Sequence, residues 1–140
     1  MPKTGLSTPP PHRILVVDDE PFVCDALKML LEFDGHKVQS ANSAPDALAM
    51  FEAGEFDLVI TDYSMPNMKG DELAMAIKSR VPGQPVVMVT AYAEMLKLPI
   101  KGVDFVISKP FPLESLREAI FKTSRLAPAA PAKKKAPKTK

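Results

Sequence analysis

The sequence predicts an α/β fold built on a doubly wound, five-stranded parallel sheet. Three observations predict it. Short apolar runs recur five times along the 140 residues. The runs are continuous rather than alternating, which marks strands buried on both faces. Amphipathic stretches separate them, as crossover helices would. Right-handed crossovers then wind the chain to both sides of the sheet.

Each element has a local reason. Residues 14–17, "ILVV", are the first strand. Residues 21–34 follow as a helix with Phe22, Val23, Ala26, Leu27, Leu30 and Leu31 at helical spacing; Pro21 suits its first turn and Gly35 its stop. Lys37–Ala41 is a more polar strand, expected nearer an edge. Ser43 can cap a helix over Ala44–Ala53, with Pro45 in its first turn. Residues 58–61 are the third strand and 71–80 the third helix. A Pro-Gly loop leads to the strand Val86–Thr90. Residues 92–98 allow at most two helical turns, because Pro99 ends them. Phe105–Ser108 is the fifth strand, and a last helix spans 113–126, entered through Pro112.

Two tails flank this domain at 13–126. Residues 1–12 are Pro- and Thr-rich, and 127–140 are Pro/Ala/Lys-rich; both are expected to be disordered. The net charge of +1 hides an asymmetry: residues 126–140 hold five lysines and no acid. Residues 13–125 hold 12 basic and 17 acidic residues, a balance of −5. An acidic body argues against nucleic acid as main partner, beyond weak contact through the basic tail. No apolar run approaches the roughly eighteen residues of a membrane span, so no membrane insertion is expected. The single cysteine, Cys24, excludes an internal disulfide and lies among apolar helix positions, where a buried thiol is expected. No secretory leader is visible, and the expected location is the cytoplasm. His12 and His36 lack companions at metal-ligand spacing.

In doubly wound sheets, function gathers at the carboxyl ends of the strands. The first strand runs into Asp18, Asp19 and Glu20, and the third into Asp62. The fourth ends in Thr90, the fifth in Ser108-Lys109-Pro110. Clustered carboxylates repel one another, and a hard divalent cation such as magnesium relieves that repulsion. Lys109 adds a mobile cation and Thr90 a hydroxyl. These are the parts for phosphoryl transfer onto a carboxylate.

The motifs "ILVVDDEP", "DLVITDYSMPNMKGDEL", "VVMVTAY" and "VISKPF" resemble, in order, those of the receiver domain of two-component response regulators. The resemblance covers residues 13–125. It implies a flavodoxin-like (βα)5 fold with strand order 2-1-3-4-5. It implies that Asp62 is phosphorylated. Asp19, Asp62 and the Ser64 backbone carbonyl match magnesium ligands, with Asp18 acting through a metal-bound water; manganese can substitute. Thr90 matches the switch hydroxyl, Lys109 the phosphoryl-binding lysine, and Pro110 a cis peptide after it. The implied donor is a histidine kinase or histidine phosphotransfer protein, the implied target a downstream protein, and homodimerisation stays open. The implied protein is a signalling switch that catalyses its own phosphotransfer and dephosphorylation.

Three departures stand out. The stretch from Thr90 to Lys109 is short, so the fourth helix is expected to be shortened. Val106 occupies the position three before Lys109 where the family often has an aromatic, with Phe105 one residue earlier; either Phe105 is core or a bulge restores its gating role, and Tyr92 is a second gating candidate. Lys69 stands where an acid is common. Two other readings remain open from the residues: a phosphatase with an aspartyl nucleophile, and a phosphorylation-independent docking module working through the lysine tail.

Overall fold

A computed structural model describes residues 11–53, 55–96 and 99–124. The expectations for the two tails and for the last two residues of the 113–126 helix lie largely outside the described residues. The strands are β1 (Arg13–Val17), β2 (Lys37–Ala41), β3 (Leu58–Asp62), β4 (Val86–Thr90) and β5 (Phe105–Ser108). The helices are α1 (Pro21–Phe33), α2 (Ala44–Ala53), α3 (Gly70–Arg80) and α4 (Leu113–Ser124).

All five strands are parallel, in the order β2-β1-β3-β4-β5. β2 therefore lies at an edge, as its polar residues suggest. The chain leaves β1 for β2 and returns to β1's other side with β3, so the strand order reverses between β1 and β3.

Side-chain alternation sorts the core into two layers. Ile14, Val16, Leu58, Ile60, Val87, Val89 and Ile107 pack against Cys24, Leu27 and Leu31 of α1 and Leu116, Ala119 and Ile120 of α4. Leu15, Val17, Val59 and Val86 face Ala44, Ala47 and Phe51 of α2 and Leu73, Ala74 and Ile77 of α3. Arg117 of α4 clamps Asp34 at the end of α1 with two hydrogen bonds of 2.8 Å.

Helix ends follow the sequence signals. At the end of α1, Gly35 has φ +92° and donates to the Glu32 carbonyl, while His36 N–H donates to Leu31. That is a Schellman closure, which wants a residue without Cβ. Ser43 Oγ accepts the Asp46 N–H at 3.2 Å and caps α2. Glu72 accepts the Lys69 N–H at 2.8 Å and closes the first turn of α3.

Between β4 and β5 the shortening goes further than the sequence suggests. Only one 3-10 turn, Ala93–Met95, forms there among the described residues. Its bonds are Met95 N–H to Tyr92 and Leu96 N–H to Ala93. Leu96 is already extended, at ψ 144°. Pro99 lacks an N–H and disfavours helical backbone just before it, so a helix entering from Tyr92 is stopped there.

His12 and His36 are far apart in sequence but meet in space, with ring centroids 5.6 Å apart. His36 is 3% exposed, and its Nδ1 accepts the His12 N–H at 3.0 Å. Burial, followed by the neighbouring His12, lowers its pKa from the ordinary value of 6.5. A lowered folded pKa means that stability is full above 6.5 and is lost as pH falls through the folded value. Urea unfolding from pH 7 down to about pH 5 should therefore show wild type losing stability relative to His36→Asn; parallel curves would contradict this.

Candidate functional site

The site grows from the register of three strands. Val17 of β1 pairs with Thr61 of β3, so the next residues, Asp18 and Asp62, emerge side by side. Asp62 pairs with Val89 of β4, which places Thr90 at the same rim. Thr90 pairs with Ser108 of β5, and Lys109 comes next, its N–H donating to the Thr90 carbonyl at 2.9 Å.

The predicted charged residues do converge. Lys109 Nζ lies 3.2 Å from Asp18 Oδ2 and 3.1 Å from Asp62 Oδ1. Asp18, Asp19 and Asp62 each bring a carboxylate oxygen within 4.8 Å of the others. Asp18 is 1% exposed and Asp62 7%. Burial raises the pKa of Asp18, against the Glu20 N–H and the Lys109 ammonium. Burial, then the charge of Asp18, raises that of Asp62. Burial opposes the charge on Lys109, but Asp18 and Asp62 together hold its ammonium above the usual range. Three carboxylates thus face one ammonium, and the pocket keeps an unmet demand for positive charge. An all-oxygen, acid-rich set of this kind fits magnesium.

The loop after β3 is shaped by a close approach. A Cβ on Gly70 would sit 2.1 Å from the Asp62 carbonyl oxygen. Only glycine lets the first turn of α3 lie against the Asp62 peptide, where the Gly70 N–H donates to the Tyr63 carbonyl at 2.9 Å. Ser64 is exposed on the same loop, two residues past Asp62. Lys69 Nζ sits 5.5 Å from the centre of the Tyr63 ring.

Thr90 is 1% exposed, and its Oγ1 accepts the Tyr92 N–H at 3.0 Å. Tyr92 is half exposed beside it. The Lys109–Pro110 peptide is cis. Phe105 requires a correction. It pairs with Val87 without a bulge and packs on the α1/α4 layer, with Lys122 Nζ 5.5 Å from its ring centre. Strand alternation puts it on the face opposite Thr90, so it is core and not a gate.

Sequence reasoning missed one group at this rim. The Asp18 carbonyl accepts the Asn42 amide at 3.1 Å and the Cys24 thiol at 3.3 Å. Asn42 immediately follows β2, a strand end with no charged residue to mark it. Cys24 is buried, as expected; burial and the charge of Asp18 push its thiol up to about 11. It is a hydrogen-bonding group rather than a reactive one.

Fold and site define a domain that gathers acids, a hydroxyl and a lysine at the carboxyl edge of a doubly wound sheet. Residues 14–121 match the sequence profile of the response regulator receiver domain. The chain belongs to that family. It is a phosphorylation-activated receiver of two-component signalling. It is 35% identical over 116 residues to the chemotaxis protein CheY of Pseudomonas aeruginosa, spanning 79% of this chain and 94% of that protein. It is 30% identical to the probable transcriptional regulatory protein TcrX of Mycobacterium tuberculosis, over 76% of this chain but only 47% of that protein. Its fold superposes on the response regulator protein TrrA of Thermotoga maritima, solved in complex with Mg(2+)-BeF, with a TM-score of 0.74, 35% identity, and coverage of 79% and 97% of the two chains. The phosphatase alternative finds no support in these likenesses.

The raised carboxylate pKa values carry a sign. A raised folded pKa gives stability that is full below the unfolded pKa and lost as pH rises through the folded value. At pH 7 without magnesium the crowded pocket therefore costs stability. Asp62→Asn should raise the metal-free melting temperature and abolish most of the further rise that magnesium gives wild type. A lowered melting temperature would show that Asp62 stabilises the fold through Lys109 instead.

Proposed function

We propose that Asp62 accepts a phosphoryl group from phosphohistidine and that Thr90 senses its arrival. The observation that carries this reading is Asp62 itself: a nearly buried carboxylate at a strand end, 3.1 Å from Lys109 and within 4.8 Å of two further acids. Asp19, Asp62 and the Ser64 carbonyl would hold magnesium directly, with Asp18 reaching it through water. Bound there, the ion supplies the positive charge that three carboxylates and a phosphoryl group require.

In the transfer, an Asp62 carboxylate oxygen attacks phosphorus while the bond to the donor's imidazole nitrogen breaks. The electron pair leaves with the imidazole. Lys109 stands between Asp18 and Asp62, where it meets the charge on the phosphoryl oxygens as they arrive. The buried Thr90 hydroxyl turns toward the new group and gives up the Tyr92 N–H. Tyr92 and the 3-10 turn then rearrange, which shifts a two-state equilibrium. Water later attacks phosphorus, and phosphate leaves with Asp62 regenerated. The chain thereby supplies the groups for its own modification and its own reset.

Intact-mass measurement after acetyl phosphate and magnesium treatment tests this. Wild type should gain one phosphoryl mass; Asp62→Ala, or wild type with chelator, should gain none. An unchanged adduct on Asp62→Ala would move the acceptor elsewhere. Failure of wild type with both acetyl phosphate and a phosphohistidine protein would end the reading.

The donor is a histidine kinase or a histidine phosphotransfer protein, and it must reach the rim beside α1. Phe22, Met29 and Phe33 are 87%, 70% and 78% exposed. At helical spacing they form one apolar stripe running from the acid loop along α1. We take this stripe as the donor's seat. Phe33→Glu should slow transfer from the protein donor by about tenfold or more, while acetyl phosphate labelling stays unchanged. Equal rates from the protein donor would place the seat elsewhere.

A further inference from the structure

We propose that Asn42 is a positioning residue for the magnesium ligands, acting with Cys24 through the peptide that joins Asp18 to Asp19. The inference rests on the reading of the acidic pocket as a magnesium site and extends it to a strand end outside that pocket.

The Asp18 residue is held on both sides by the end of β2. Its N–H donates to the Ala41 carbonyl at 3.2 Å. Its carbonyl accepts the Asn42 Nδ2 at 3.1 Å and the Cys24 Sγ at 3.3 Å. Asn42 Nδ2 also lies 3.5 Å from Cys24 Sγ, and that sulfur lies 3.6 Å from the Ala41 carbonyl. Amide and thiol thus converge on the carbonyl of the Asp18–Asp19 peptide, while the preceding peptide is tied to Ala41. The plane of the Asp18–Asp19 peptide sets the direction of the Asp19 carboxylate relative to that of Asp18. Three like charges within 4.8 Å would otherwise relax apart by turning about it.

Asn42 has no competing duty at this corner. Ser43 caps α2, and the Asn42 side chain is exposed rather than packed in the core. Its amide donor is what the Asp18 carbonyl needs. An aspartate of the same shape would turn a carboxylate oxygen toward that carbonyl and repel it. Groups that orient metal ligands from behind commonly change metal affinity by about 10–100-fold when removed.

Calorimetric magnesium titration of the full chain tests the proposal with wild type, Asn42→Ala, Asn42→Asp and Cys24→Ser. Asn42→Ala should weaken magnesium binding about tenfold. Asn42→Asp should weaken it as well, although it adds a negative charge near the pocket. Cys24→Ser, which keeps a donor to the Asp18 carbonyl, should bind like wild type. Tighter binding by Asn42→Asp would mean that only net charge matters and would overturn the proposal; so would unchanged binding by Asn42→Ala. A second readout needs no metal. Amide exchange at Asp18 and Asp19 should accelerate in Asn42→Ala while the melting temperature stays near wild type, and unchanged exchange would count against the clamp. If wild type itself binds no magnesium, the magnesium reading fails and this extension with it, whereas the exchange arm still decides whether Asn42 holds the peptide.

Discussion

Repulsion among carboxylates at the ends of β1 and β3 is the constraint around which this protein is built. Like charges that could separate would do so, and here they cannot. Val17 and Thr61 are register partners in the middle of a sheet covered on both faces. The backbone therefore presents Asp18 and Asp62 together whatever their charges prefer. Lys109, arriving from β5, offsets part of the cost by touching both. The remaining imbalance leaves a demand for positive charge that a divalent cation would meet. A neutral pocket of the same shape would attract neither a divalent ion nor, through it, a phosphoryl group.

That constraint assigns work to residues far apart in the chain. Gly70 lets α3 close against the Asp62 peptide, because any side chain there would collide with the carbonyl. Leu27, Leu31, Leu116 and Ile120 bury the α1/α4 layer, and the Arg117–Asp34 clamp ties those two helices together. Burial of this kind supplies the rigidity that keeps the rim from relaxing. The site is thus crowded with charge at the rim and braced from below.

Much of this was legible in the sequence, for identifiable reasons. Continuous apolar runs name buried strands, and the residue after each run must stand at the sheet's edge. That logic locates Asp18, Asp62, Thr90 and Lys109 without a structure. It covers four of the five strand ends and passes over Asn42, because a lone polar residue after an edge strand carries no chemical signature. Phe105 shows the opposite limit. Its chemistry suits a gate, but one residue of register decides its face, and only the pairing with Val87 settles that. The region after Thr90 was legible only as an interruption: Pro99 says where a helix must stop, not that a single 3-10 turn is all that forms among the described residues.

That single turn bears on how the domain is read by others. Where a full helix would present a stiff rod anchored by a ladder of hydrogen bonds, this chain presents Tyr92, Ala93 and Met95 on two backbone bonds. A segment with so few internal bonds opens at little free-energy cost. If modification at Asp62 is passed on through this segment, as proposed, reshaping it would cost little free energy. Such a switch would be graded rather than latched. Its contrast between off and on would then come in large part from the partner that selects one shape, and partners of different affinity would set the same domain at different working points.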